Sequence, residues 1–175
     1  MRVIKINRMN IDTAGKLLQK HPNIKIIHYI RDPRGTLLSR TVNYEMLNND
    51  PEKDVKLLCK KMLYNVMKFK EVEKQNPGCC LQIKYEDLAS NPLKVGEKLL
   101  QFTGMEVTKD YLSTWISKHT SAKRDNGNYA TERKNSTYTA VKWKLQLSRK
   151  LISYADQVCA DVYSEIGYDS FHHHE

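Results

Sequence analysis

The sequence predicts an α/β fold, a parallel β-sheet flanked by helices, and three observations predict it. Strand-like and helical periodicities alternate from residue 2 to residue 104. Residues 24–30, IKIIHYI, are almost continuously apolar and β-branched, which suits a central parallel strand covered on both faces. A second such run, residues 80–85, follows a long amphipathic stretch and an Asn76-Pro77-Gly78 turn. Such alternation places ligands outside the carboxyl ends of the strands.

The elements follow in order. Met1 opens directly onto residues 2–6, which carry Val3, Ile4 and Ile6 between charged residues and are expected to form a strand. Ala14, Leu17 and Leu18 then share one helical face, and His21-Pro22-Asn23 stops that helix. With the strand at 24–30 this makes a βαβ unit. A helix over 34–47 follows, opened by Pro33 and ended by Asn48-Asn49-Asp50-Pro51. The next helix is long, with Val55, Leu58, Cys59, Met62, Val66 and Phe69 at three- and four-residue spacing as core positions. After the strand at 80–85, Asn91-Pro92 supplies an N-cap and first residue for a helix that ends near Gly104. Residues 117–139 are rich in Ser, Thr, Asn, Lys and Arg and are expected to be a surface loop over a site. A last helix over 148–166 carries the stripe Leu151, Ile152, Ala155, Val158, Cys159, Val162 and Ile166, stops at Gly167, and is expected to dock on the sheet. One domain over 1–168 and a flexible tail over 169–175, ending in His172-His173-His174, complete the reading.

Charge narrows the partners. Twenty-nine Lys and Arg against twenty Asp and Glu leave a net charge of +9, which favours a polyanion: nucleotide phosphate, acidic glycan, nucleic acid or anionic membrane. The basic residues are spread along the chain instead of forming an arm, which argues against a nucleic-acid partner. No apolar stretch reaches bilayer length, so these residues are expected to be soluble. Cys59, Cys79, Cys80 and Cys159 lack the paired spacing of a zinc site, and no metal is expected. Cys59 can bridge to Cys79 or Cys80 in an oxidising compartment, or all can be free buried thiols.

The chemistry concentrates in KIIHYIRDPRGTLLSR, residues 25–40. Arg31 closes the strand and Ser39 lies one to two turns into the helix that Pro33 opens, so both can meet one oxyanion near that helix's positive end. Arg31 can equally pair with Asp32, and Ser39 can be an ordinary helix-surface residue.

HYIRDPRGTLLSR, KYEDLASNPLKVGEKLLQFTGM and the WKLQLS…VCADVYSEIGY ending, in that order, resemble the sulfotransferases that use 3′-phosphoadenosine 5′-phosphosulfate (PAPS), most closely the Golgi carbohydrate sulfotransferases. The resemblance runs from about Lys5 to Tyr168 and implies a P-loop-type sulfotransferase fold. It implies transfer of a sulfuryl group from PAPS to a hydroxyl of a glycan or glycoprotein, without a metal. By it, Arg31 and Ser39 hold the 3′-phosphate, Tyr85 contacts the adenine or is a core tyrosine, and Arg133 closes over the phosphate from a late loop. Asn135-Ser136-Thr137 also fits a glycosylation acceptor, and only one of these two uses of that loop is expected. Lys5 matches a cofactor-binding lysine. Asn7 stands where cytosolic members carry a histidine base, and an amide cannot accept the acceptor's proton, so the base is expected elsewhere.

Family members begin with a strand and an Arg-x-Gly-Ser/Thr-Ser/Thr loop that holds the 5′-phosphosulfate, and the segment before Lys5 cannot supply it. The catalytic base and this loop are therefore expected upstream of Met1. The expectation is a chain shortened at its amino end, lacking the first strand, that loop and any membrane anchor of a type II Golgi protein, with impaired catalysis. The alternatives are a non-catalytic module that binds a 3′-phosphonucleotide or sulfated glycan, and a nucleotide kinase. The kinase ranks last because no Gly-x-x-x-x-Gly-Lys-Ser/Thr loop is present.

Overall fold

The computed structural model describes residues 2–7, 9–42, 50–121 and 133–171. Among them two strands, β1 (Ile26–Ile30) and β2 (Cys80–Lys84), pair in parallel with Ile26 opposite Cys80 and Ile30 opposite Lys84. Helices α1 (Ile11–Lys20), α2 (Pro33–Val42), α3 (Pro51–Gln75), α4 (Tyr85–Ser90), α5 (Pro92–Thr103), α6 (Lys109–Thr120), α7 (Ser136–Val141), α8 (Trp143–Gln146), α9 (Arg149–Val158) and α10 (Ala160–Ile166) surround them.

α3 is the spine. Asp50 caps it by accepting from the Lys53 amide, and Pro51 at its start sacrifices no hydrogen bond, because first-turn amides have no helical acceptor. Its apolar stripe faces two ways. Val55, Leu58, Cys59 and Val66 pack with Leu37 of α2, Ile30 of β1, Ala155 of α9 and Val162, Tyr163 and Ile166 of α10. Phe69 and Val72 pack with Ile11 and Leu18 of α1 and with Cys80. Gly15 lets α1 approach closely: a Cβ there would come within 2.8 Å of Val72. The buried stripe of α1 is therefore Ile11, Gly15 and Leu18, while Leu17, expected on the inner face, is exposed.

Several expectations are corrected. Residues 2–6, the strand expected to follow Met1, are not a strand. Val3 and Ile4 are about four-fifths exposed, and a segment without a neighbouring ladder leaves its backbone groups to water. Met1 itself lies outside the described residues. β1 is covered on one face only, since Ile26 and His28 meet α1 and α3 while Ile27 and Tyr29 are exposed. The expected loop over 117–139 begins later and ends earlier, because α6 runs through Thr120 and α7 starts at Ser136; its middle, 122–132, lies outside the described residues. Thr108 caps α6, a helix that sequence periodicity does not single out.

The helix expected over 148–166 is two helices bent at Cys159, which pack chiefly on α3 and, through α9, on α2, and meet the sheet through the core they share with Ile30 of β1. The bend has a covalent anchor: Cys59 of α3 is disulfide-bonded to Cys159, and Cys79 and Cys80 are free, contrary to the bridge considered from spacing. Gly104 and Gly167 end α5 and α10 in the left-handed conformation, as their positions predict. Residues 169–171, expected to begin the tail, are tied down through the Asp169 carbonyl and the Phe171 amide. The continuation of α2 to Leu47, the Asn48-Asn49 break and the three histidines lie outside the described residues. No helix among the described residues is long and apolar enough to cross a membrane.

Candidate functional site

The site is built at the carboxyl end of β1. Arg31 and Asp32 form the turn, and Pro33 opens α2. Asp32 is buried and caps this helix: its carboxylate accepts from the Arg34 amide at 2.8 Å, and from Nε and Nη2 of the same residue at 3.0 and 2.8 Å. The sequence leaves open an ion pair between Arg31 and Asp32. The structure gives Asp32 to Arg34 instead and leaves Arg31 facing elsewhere.

Arg31 reaches across the start of α2. Its Nη2 donates to the Thr139 carbonyl of α7 at 3.2 Å, and its guanidinium lies 4.4 Å from the Tyr85 ring centroid. Its buried Nε has no hydrogen-bond partner among the described residues. A buried guanidinium donor with nothing to bond is costly unless an acceptor arrives, so the group is set up for an anion. Gly35 makes the approach possible. A Cβ at Gly35 would stand 3.0 Å from Arg31 Nε and 3.4 Å from Trp143 Cδ1. Ser39 is four residues further along α2, hence one turn on and on the same stripe as Gly35.

Tyr85 is the first residue of α4, directly after β2, and its ring also meets Tyr29 edge-on at 6.1 Å. The neighbouring Glu86 reaches back to the β1–α2 turn: it accepts from the Asp32 amide at 3.1 Å and from the Tyr168 hydroxyl at 2.6 Å. Burial, reinforced by Glu86, raises the Tyr168 pKa and holds that phenol protonated.

α7 forms the remaining wall. Asn135 caps it by accepting from the Tyr138 amide, and the Ser136 and Thr137 hydroxyls both donate to the Ala89 carbonyl of α4. The Arg133 amide donates to the His119 carbonyl, which ties the approach to α7 against the end of α6. Lys5 is not brought to the site by a strand, because it lies in the exposed, irregular segment before α1. His28, the histidine nearest Arg31 in sequence, points to the other side of the sheet, bonded to Gln82 and packed on Phe69.

Gly35, Trp143 and the Thr139 carbonyl shape the Arg31 environment, and the sequence alone assigns them no role there. Only Gly35 carries a signal, as a glycine two residues inside a helix opened by proline, where a helix gains nothing from it. The other two meet Arg31 and Gly35 through contacts about a hundred residues apart in sequence.

The Sulfotransferase domain family model matches residues 9–167. The chain belongs to this family. It is similar to carbohydrate sulfotransferase 1 of Homo sapiens, at 29% identity over 96% of this chain and 44% of that protein, and to the Mus musculus protein of the same name at 28%. Carbohydrate sulfotransferase 3 of Tetronarce californica is 27% identical over 83% of the chain and 36% of its own length. The chain thus spans less than half the length of these curated sulfotransferases. Its helix-rich structure around a small parallel sheet agrees with the α/β sulfotransferase fold expected from the sequence.

Proposed function

We propose that this chain carries the 3′-phosphate half of a PAPS site in a carbohydrate sulfotransferase, with Arg31 and Ser39 as phosphate ligands and Tyr85 as the adenine contact. The observation that carries the reading is Arg31 itself: buried Nε without a partner among the described residues, guanidinium on Tyr85, and placed over Gly35 at the start of α2. A phosphate there would satisfy the orphaned donor and lie at the positive end of a helix. Ser39, one turn below Gly35, would add a hydroxyl, and Arg133 would approach from the α7 side. The position of Lys5 in an exposed segment gives it no supporting contact.

PAPS, when bound, supplies the activated sulfuryl group. What this chain's residues contribute is binding and orientation: the fork fixes the nucleotide's 3′ end, and the aromatic face of Tyr85 offers a stacking surface. A carbohydrate acceptor fits the names of the relatives and the basic balance of the chain. The Cys59–Cys159 disulfide favours an oxidising compartment such as the Golgi lumen.

The test is transfer of labelled sulfate from PAPS to carbohydrate acceptors by the chain and by any longer product that contains it. Transfer that Arg31→Ala or Ser39→Ala lowers supports the reading. Nucleotide binding without transfer in either product would favour a non-catalytic binding module, and phosphoryl transfer from ATP would overturn it.

A further inference from the structure

We infer that residues 169–171, acting through Arg34 and Trp143, position Arg31 and so set the selectivity of the nucleotide site; this rests on Arg31 being the 3′-phosphate ligand. Contacts lead from residues 169–171 to the space over Gly35 that Arg31 also occupies. Trp143 stands 3.4 Å from the point where a Gly35 Cβ would be, and Arg31 Nε stands 3.0 Å from the same point, so Trp143 and Arg31 flank the first turn of α2 together. Trp143 is 3% exposed and is fixed from behind on two sides: by the Arg34 guanidinium, 4.1 Å from its ring centroid, and by Phe171, edge-on at 5.5 Å.

Arg34 is the hub. It pairs with Asp32 in the β1–α2 turn and with Asp156 of α9, both at 2.8 Å, lies 4.7 Å from the Tyr163 ring, and donates to the Asp169 carbonyl at 3.0 Å. Asp156 in turn accepts from the Phe171 amide at 2.7 Å and from the Tyr163 hydroxyl at 3.1 Å. Residues 169–171 therefore reach both Arg34 and Trp143, and Trp143 shares with Arg31 the space over Gly35. Removing the Phe171 ring takes away one support of Trp143, the one on its Phe171 edge, while leaving Arg34, Leu38 and Ile152 against the indole and every polar bond of Arg34 and Asp156 in place. The indole can then withdraw from Gly35, and Arg31 gains room to leave the orientation in which Nε faces a ligand. A network of this density couples its members, and loss of one contact is felt at the next.

The experiment measures binding of adenosine 3′,5′-bisphosphate and of ADP, which matches it in phosphate number, to wild type, Phe171→Ala and Phe171→Tyr, with thermal unfolding of each. The inference predicts that Phe171→Ala stays folded and loses on the order of five-fold or more of the preference for the 3′-phosphate. Phe171→Tyr, which keeps a ring on Trp143, restores that preference. An unchanged preference in folded Phe171→Ala overturns the inference, as does failure of Phe171→Tyr to restore it. Absence of any preference in wild type overturns instead the assignment of Arg31. Should Phe171→Ala unfold, Phe171→Leu is measured against the same outcomes.

Discussion

The surroundings of Arg31 are set by what its neighbours decline to do. Asp32, the obvious partner in sequence, commits its carboxylate to Arg34 and to capping α2, so Arg31 is left with one carbonyl, one aromatic face and an Nε without a partner among the described residues. Gly35 leaves the room that the Arg31 side chain occupies. Gly35→Ala places a methyl group 3.0 Å from Nε and is expected to weaken binding of adenosine 3′,5′-bisphosphate at least about ten-fold while improving helix propensity, since alanine exceeds glycine by ~1 kcal/mol inside a helix. Calorimetric titration together with thermal unfolding separates the two effects. Unchanged affinity would show that Arg31 does not depend on that gap. The positions of Arg31 after β1, Ser39 within α2 and Tyr85 after β2 are legible because strand ends and helix starts announce themselves in sequence. The Thr139 carbonyl and Trp143 are not, because they reach the site only through tertiary packing. Lys5 is misplaced by the sequence because alternation of apolar and charged residues at 2–6 looks like a strand whether or not a partner strand is beside it.

At the scale of elements, β1 makes the same point. Its run of isoleucines reads as a strand buried on both sides, yet Ile27 and Tyr29 are exposed, since apolar periodicity records what a face can bury and not what lies against it. The inner face has a pH signature. Burial lowers the His28 pKa below its ordinary 6.5, against the raising influence of its hydrogen bond to Gln82. The unfolded chain therefore takes up this proton at a higher pH than the folded chain. The contribution of a neutral, buried His28 to stability is complete above the unfolded value and declines as pH falls from there towards the lower folded value. Denaturant midpoints should drop between about pH 7 and pH 5, and His28→Gln should flatten that part of the profile. An identical slope in the variant would assign the drop to carboxylates instead. The long helix α3 is legible almost residue by residue, because its apolar positions recur at helical spacing and leave no competing period. The bend at Cys159 is not, because α9 and α10 continue one apolar stripe across it.

Across the whole molecule, the disulfide joins the spine α3 to the α9–α10 bend over a separation of 100 residues, the longest loop that the four cysteines can close. Cys159→Ser is expected to lower stability by roughly 2–4 kcal/mol, with the same loss in wild type after reduction. Equal stability of oxidised and reduced wild type would mean the bond is not formed. The pairing escapes the sequence because four cysteines allow several connectivities and only the packing of α10 on α3 selects one. The central claim is that Arg31 confers 3′-phosphate recognition. It is tested most directly by titrating wild type and Arg31→Ala with adenosine 3′,5′-bisphosphate and ADP. Wild type should prefer the 3′-phosphorylated nucleotide, and Arg31→Ala should lose roughly 1.5–3 kcal/mol of binding to it with little change for ADP. Equal affinity of wild type for the two nucleotides, or an equal loss for both in the variant, would contradict it.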